Sequence, residues 1–219
     1  AGTGAWTEVS PALYETLSLA QEMARQSDGA FDVTSGTLTE LWDAARAAQH
    51  PPTAEEVAAA QSRVDWRALE LRMRGADDGE HPEVRLLRAG MKIDRGALIK
   101  GLALDGIARS WAAGGAVNAL ADLGSSSILA CGVNAEGEPW RIGVRNPRGE
   151  SRSDLAATVQ LSDAMLSASG DDERYFLYEG RRYHHLVDPR TGDPAETGLA
   201  SVTVILPQDA MTGTMWAGH

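Results

Sequence analysis

The chain has 219 residues, enough for one large domain or two small ones, and a formal net charge of −11 at pH 7. That charge argues against a nucleic-acid groove or an anionic membrane surface as partner, so an anionic ligand would need a local cationic pocket. No apolar run approaches the ~20 residues of a membrane span, and a single cysteine, Cys131, excludes an internal disulfide. The start at Ala1 without methionine or leader, and the abrupt stop at His219, predict an incomplete segment.

Capping residues and apolar spacing predict helices, most of them in the first half of the chain. They run from Ser10-Pro11 to Ser27-Asp28-Gly29, near Leu38-Trp42, over Thr53 to Gln61 and over Gly101 to Ala113.

Strand patterns dominate the second half of the chain. They cover Trp66 to Met73, Val84 to Ile93, Ala119 to Cys131, Trp140 to Val144, Ala157 to Leu161, Tyr175 to Tyr178 and Ser201 to Leu206. Polar residues predict a turn over 75–81, and Asn134-Ala-Glu-Gly137 predicts an antiparallel hairpin between its flanking strands. This distribution favours an α+β fold, with layered antiparallel or mixed sheets and packed helices, over an alternating α/β fold.

The segment from Tyr183 to Gly192 concentrates chemistry in ten residues. It carries His185, Asp188 and Arg190 directly after a strand-like run. Its Asp-Pro step disfavours helix and starts a turn that Thr-Gly closes, so these side chains are expected on a stiff loop. The alternative is an ordinary turn, in which Asp188 and Arg190 pair with each other or satisfy backbone groups.

A second cluster, from Met91 to Gly101, leaves a strand through glycines and enters the predicted Gly101 helix. Backbone N–H groups at a helix start carry partial positive charge, and Lys100 would add a full one, which suits a diphosphate. The alternative is a solvated lysine at a helix start.

Two weaker clusters complete the set. Phe31 to Leu38 precedes Trp42 and also fits a loop followed by an aromatic core anchor. Met165 to Gly170 places small hydroxyl residues in what we predict to be a flexible turn, without a Gly-x-Ser-x-Gly elbow.

Taken in order, these clusters resemble the bacterial FAD:protein FMN transferase family, also called the ApbE family. The order of the matches along nearly the whole chain makes the resemblance specific. The matching segments are Gly29-Ala30-Phe31-Asp32 through Gly36-Thr37-Leu38 to Leu41-Trp42, Asp94-Arg95-Gly96-Ala97-Leu98-Ile99-Lys100-Gly101 with Asp105, Leu123-Gly124, Pro139-Trp140-Arg141-Ile142, Ser169-Gly170, Tyr183 to Gly192 and Ser201 to Ile205.

The resemblance implies one ApbE-like FAD-binding domain over 1–219 that uses Mg²⁺ and transfers the FMN half of FAD to a threonine or serine hydroxyl of a partner flavoprotein, releasing AMP. It implies no nucleic-acid partner, a periplasmic or envelope-facing location, and membrane contact only through an N-terminal anchor outside this sequence. By position, His185 is the candidate base, and the Ala97 carbonyl is a candidate metal ligand. The implied FAD contacts are Gly36, Thr37, Leu38, Asp94, Lys100, Asp105, Ser169, Val187, Asp188, Arg190 and Thr191.

The chain departs from the family pattern where side-chain metal ligands are expected. The positions fall on Gly213, Trp216 and Ala217, and none of them has a side-chain oxygen. Asp209, Thr212, Thr214 or His219 could substitute only through a shifted loop. Three hypotheses follow: a Mg²⁺-dependent transferase, a catalytically weakened relative that binds FAD as a carrier or interaction module, and a structural domain with an empty pocket.

Overall fold

The structure is a computed structural model, and it describes residues 4–76, 79–94, 96–124 and 126–207. The chain folds as two compact units. Unit 1 comprises Ala1–Arg95 with Arg174–Ala195, and unit 2 comprises Gly96–Glu173 with Glu196–His219. The single domain over 1–219 stays a prediction.

Helices and antiparallel sheets together confirm the predicted α+β class. The helices in the described residues are α1 (Pro11–Gln26), α2 (Gly36–Ala48), α3 (Ala54–Gln61) and α4 (Gly96–Gly114). The strands there are β1 (Thr7–Glu8), β2 (Leu69–Ala76), β3 (Gly79–Leu86), β4 (Ala119–Asp122), β5 (Ser127–Cys131), β6 (Trp140–Arg145), β7 (Leu155–Leu161), β8 (Ala164–Gly170), β9 (Tyr175–Tyr178), β10 (Arg181–His184) and β11 (Ser201–Pro207). Among the described residues, none of the helices combines the length and apolar composition that a membrane span needs.

Local capping signals place α1 and α3 of unit 1 where the sequence predicts them. The Ser10 hydroxyl accepts the Leu13 N–H at 3.3 Å. Thr53 and Glu56 form a complete capping box at the start of α3. The predicted short helix near Leu38-Trp42 is wrong in extent, because α2 covers 13 residues. Its last turns, Asp-Ala-Ala-Arg-Ala-Ala, consist mainly of strong helix formers that let the helix continue.

The first sheet of unit 1 has the strand order β1-β3-β2, and α1 packs against β2 and β3. The predicted strand from Val84 to Ile93 is displaced, since β3 begins at Gly79 and ends at Leu86. The predicted turn over 75–81 is too wide, because Gly75 pairs with Glu80 and Arg74 with His81. Cross-strand pairing keeps these polar residues extended, an interaction that local polarity does not reveal.

A buried carboxylate, Asp32, holds the loop before α2. Its Oδ1 accepts the N–H and the hydroxyl of Thr34, both at 2.7 Å, and its Oδ2 accepts the Trp66 N–H at 2.9 Å. Burial raises the pKa of Asp32, although these hydrogen bonds lower it. The carboxylate therefore ties the loop to the chain that enters β2.

Replacing Asp32 by asparagine is expected to destabilise the fold by about 1–3 kcal/mol, because an amide has only one acceptor oxygen and must direct its NH₂ group at a donor. Urea unfolding measures the change. Asp43→Asn, at an exposed carboxylate on α2, is the control and should stay within about 0.5 kcal/mol. Equal, small effects of the two substitutions would contradict the role given to Asp32.

The sheet of unit 2 has the strand order β11-β8-β5-β4 and is antiparallel throughout. Alternate residues of its strands face opposite sides. Leu129 and Met165 pack with Leu104 of α4, whereas Ile128 and Leu166 pack with residues of the β6–β7 hairpin. Helix α4 begins at Gly96, five residues before the predicted Gly101, so Lys100 lies within it.

One strand, one turn and one hairpin predicted in unit 2 need correction. The predicted strand from Ala119 to Cys131 is two strands, β4 and β5, paired with each other. The predicted flexible turn from Met165 to Gly170 is strand β8, which pairs on both sides, with β5 and β11. The Asn134–Gly137 turn forms, with a hydrogen bond of 3.1 Å, but the predicted hairpin is wrong, since β6 pairs with β7. Small residues such as Ser167 are common in loops, but they also fit a strand that is paired at both edges.

Candidate functional site

The segment from Tyr183 to Gly192 leaves β10 and forms a tight turn in unit 1. The Asp188 carbonyl accepts the N–H groups of Thr191 at 3.2 Å and Gly192 at 2.8 Å. The Arg190 guanidinium donates from Nε to Asp188 Oδ1 at 2.9 Å and from Nη2 to Oδ2 at 2.7 Å. These hydrogen bonds lower the pKa of Asp188, and burial partly opposes them. The structure thus has the Asp188–Arg190 pairing that the sequence left as an alternative, and FAD binding by these residues stays a prediction.

Side chains from α2 and α3 hold this turn, which supports the prediction of a stiff loop. Trp42 Nε1 donates to the Gly192 carbonyl at 2.8 Å. Gln61 Nε2 donates to the Arg190 carbonyl at 2.6 Å. Gly192 has φ +80°, and a Cβ there would lie 2.7 Å from Val57 Cγ1, so another residue would be strained and would press on the Val57 side chain of α3.

The two adjacent histidines have different surroundings. The backbone N–H of His185 donates to the Arg174 carbonyl at 3.0 Å, which fixes the backbone just after β10. His184 Nε2 lies 3.1 Å from the Ala195 carbonyl, a contact in which its N–H donates. Both residues are half-buried. The backbone of His185 is therefore fixed by Arg174, and the ring of His184 contacts Ala195.

The remaining predicted residues of this segment contribute to its packing. Val187 forms an isolated antiparallel bridge with Pro194. Its side chain packs against the core cluster of Trp42, Ala45, Val57 and Phe176. Thr191 Oγ1 lies 3.4 Å from the Asp188 carbonyl. A contact of Val187 or Thr191 with FAD stays a prediction.

The predicted contacts Gly36, Thr37 and Leu38 lie in the core of unit 1 rather than on an open loop. All three are buried, Leu38 completely, and the Thr37 hydroxyl donates to the Ala60 carbonyl at 2.9 Å. The Gly36 N–H donates to the Lys92 carbonyl at 3.2 Å. These residues therefore shape the start of α2, and their contact with FAD also stays a prediction.

Asp94 lies at the end of the segment that follows β3. Its N–H donates to the Val33 carbonyl at 2.8 Å. Its Oδ2 accepts the Thr39 hydroxyl at 2.8 Å. Unit 1 thus brings Asp94 together with the chain that begins α2.

In unit 2, α4 carries three of the predicted residues. Ala97 lies in its first turn, Lys100 is its fifth residue and Asp105 is half-buried further along. Lys100 Nζ donates to Ser126 Oγ at 2.5 Å. Ser169 lies on β8 opposite Val202. The start of a helix carries partial positive charge, so the start of α4 and the ammonium group of Lys100 both contribute positive charge to unit 2.

A cavity of about 240 Å³ lies within unit 2. Ser126, the partner of Lys100, lines it, together with apolar side chains such as Leu166 and hydroxyls such as Thr203. Arg145 also lines it and pairs with Asp172 at 3.0 Å. Pockets for drug-sized ligands usually have volumes of about 300–1,000 Å³, so this cavity suits a part of a large ligand rather than a whole dinucleotide.

The predicted metal positions cannot be assembled into a site from the described residues. Gly213, Trp216 and Ala217 lie outside them, as do Asp209, Thr212, Thr214 and His219. Over 4–76, 79–94, 96–124 and 126–207, no group of three or more His, Cys, Asp or Glu residues is arranged to hold a metal ion. The backbone carbonyl of Ala97 is the predicted ligand that falls on a described element.

Sequence reasoning missed the residues that support the site from a distance. Gln61 binds the turn across 129 residues of sequence, and Thr39 binds Asp94 across 55. Neither pairing has a local signal in the sequence, because Gln61 and Thr39 both look like ordinary polar residues on a helix surface. The aromatic anchor Trp42 was expected, and its place in the core confirms that interpretation.

The chain is similar to known proteins over almost its whole length. A model of the ApbE family matches residues 1–218. The FAD:protein FMN transferase of Treponema pallidum is 35% identical over 208 residues, which are 91% of this chain and 57% of that protein. The FAD:protein FMN transferase of Salmonella typhimurium is 30% identical over 91% of this chain and 56% of its own length. The chain therefore spans a little over half the length of these curated relatives.

Solved structures agree in fold. The crystal structure of the ApbE protein of Thermotoga maritima has a TM-score of 0.74 and 34% identity, covering 98% of this chain and 68% of that one. The flavinyl transferase ApbE of Pseudomonas stutzeri has a TM-score of 0.76 and 29% identity, covering 99% and 63%. With the family match over 1–218, these relationships show that the chain belongs to the ApbE family.

Proposed function

We propose that the protein is a FAD:protein FMN transferase, which moves the FMN half of FAD to a threonine or serine hydroxyl of a partner flavoprotein and releases AMP. The observation that carries this proposal is the family match over 1–218, since the similar proteins of Treponema and Salmonella bear that name. The same names favour a transferase over a weakened FAD carrier or a structural domain.

In the proposed reaction the acceptor oxygen bonds to the phosphorus of the FMN phosphate. The bond from that phosphorus to the bridging oxygen breaks, and AMP leaves with the electron pair. The acceptor hydroxyl gives up its proton as the new bond forms. Imidazole is suited to take that proton near neutral pH, and our candidate is His185, the histidine that the family resemblance implies.

Phosphoryl transfer depends mainly on positioning and on neutralising the charge of the phosphates. Lys100 contributes a full positive charge, and the start of α4 contributes N–H donors. The contact between Lys100 and Ser126 puts this charge beside the unit 2 cavity, so we infer that a part of FAD occupies that cavity.

We further propose that Mg²⁺ takes part. A backbone carbonyl oxygen such as that of Ala97 is a suitable ligand for a hard cation. Because Gly213 and Ala217 lack side-chain oxygens, phosphate oxygens and water would complete the ligands of the ion. When bound, the ion would neutralise phosphate charge. A periplasmic or envelope-facing location is part of the same proposal and rests on the family resemblance alone.

FAD titration followed by AMP detection tests the proposal. The protein should bind FAD and release AMP in the presence of Mg²⁺ and an acceptor, and EDTA should suppress the release. FAD binding with AMP at background level would instead support a weakened carrier. Absence of FAD binding would overturn both and leave a structural domain.

A further inference from the structure

Thr39 and Asp94 form a contact that the sequence does not suggest. Thr39 is the fourth residue of α2, and its hydroxyl donates to Asp94 Oδ2 at 2.8 Å. Both side chains are half-buried. A hydroxyl hydrogen bond to an ionised carboxylate is among the stronger side-chain contacts, and it restricts the torsions of both partners.

The backbone on both sides of this contact is also fixed. The Asp94 N–H donates to the Val33 carbonyl at 2.8 Å, and Ser35 forms a parallel bridge with Lys92. A Cβ on Gly36 would lie 2.9 Å from the Lys92 carbonyl oxygen, so the two segments are in direct contact. These contacts fix the backbone at Asp94, and the hydrogen bond from Thr39 additionally fixes its side chain.

The charge of Asp94 limits what it can bind. An ionised carboxylate only accepts hydrogen bonds, and it repels a diphosphate. A partner on FAD must then be an N–H or O–H donor of the flavin, adenine or sugar moieties. This separates the role of Asp94 from that of Lys100.

We propose that Thr39 is a positioning residue, which orients the Asp94 carboxylate toward an N–H or O–H donor of FAD; the inference rests on the proposed function. Fixing an acceptor before binding removes the entropy cost of ordering it with the ligand. The hydroxyl of Thr39 thereby strengthens FAD binding without touching FAD.

The chain offers a matched control for simple docking of α2. Glu40, the next residue of α2, forms an exposed ion pair with Lys92, in the segment that leads to Asp94. Glu40→Gln removes the ion pair between the same two segments and leaves the Thr39–Asp94 hydrogen bond intact. If FAD affinity depended only on the contact between α2 and the segment that leads to Asp94, Glu40→Gln should lower it as well.

The experiment is a double-mutant cycle in which FAD affinity is read from flavin fluorescence. Thr39→Val should weaken FAD binding about 5- to 20-fold, and Thr39→Ser, which keeps the hydroxyl, should stay within about twofold of wild type. In the Asp94→Ala background, Thr39→Val should have less than about a twofold effect. Glu40→Gln should also stay within about twofold, and thermal unfolding is measured for every variant.

Several results would overturn the inference while the proposed function stands. In each of them wild type binds FAD. In the first, Thr39→Val lowers FAD affinity equally in the wild-type and Asp94→Ala backgrounds. In the others, Thr39→Ser or Glu40→Gln lowers FAD affinity as much as Thr39→Val does. If Thr39→Val does not fold, Thr39→Ala replaces it in the cycle with the same expectations. Absence of FAD binding by wild type would overturn the proposed function, and the inference with it.

Discussion

Replacing His185 by alanine is expected to lower FMN transfer about 10²–10⁴-fold, the usual cost of losing a general base, while FAD affinity changes little. The reason is that the imidazole would act on the acceptor hydroxyl, whereas binding depends on other groups. Initial rates of FMN attachment and equilibrium FAD titration measure the two quantities separately.

His184→Ala is the matched control for His185. His184 is the last residue of β10, and its Nε2 contacts the Ala195 carbonyl. We expect this variant to lose some stability and to keep transfer within about tenfold. A large loss of transfer from His184→Ala, with little from His185→Ala, would show that the base is the other histidine.

Replacing Lys100 by alanine is expected to weaken FAD binding about ten- to a hundredfold, because it removes a charge-assisted contact with the diphosphate. Riboflavin has no phosphate, so its affinity should not change. The loss for FAD should shrink as ionic strength rises, since salt screens the interaction that the variant lacks. Titrations with both ligands at two salt concentrations measure these effects.

Two controls separate the charge of Lys100 from its structural contact. Ser126→Ala removes the hydroxyl that accepts from Lys100 Nζ but keeps the ammonium group. Lys92→Ala removes a lysine whose ion pair with Glu40 is exposed. Lys92→Ala should bind FAD within about threefold of wild type, and Ser126→Ala should weaken FAD binding less than Lys100→Ala does. Equal weakening of FAD and riboflavin by Lys100→Ala would mean that the substitution disturbs the fold rather than a phosphate contact.

The helices show how far local signals reach. The N-cap Ser10 and the capping box of Thr53 and Glu56 act within one turn, so the sequence locates α1 and α3. Helix α4 begins at Gly96, five residues before the predicted Gly101. Strand β8 was missed because Ser167 gains its place from pairing with β5 and β11, which lie far away in sequence.

The candidate site divides in the same way. The turn of Asp188 to Gly192 is encoded by its own Pro and Gly residues, and the sequence predicts its stiffness. The burial of Thr37 and Leu38 depends on how α2 packs, and the local pattern of a loop entering a short helix does not show it. Thr39 could be recognised only when folding brought it to Asp94.

The most direct test of FMN transfer is the intact mass of an acceptor flavoprotein after incubation with this protein, FAD and Mg²⁺. We predict that the acceptor gains the mass of one FMN moiety, that AMP appears in equal amount, and that replacing its target threonine or serine by alanine abolishes both. An acceptor of unchanged mass, in a mixture where the protein has bound FAD, would contradict the account.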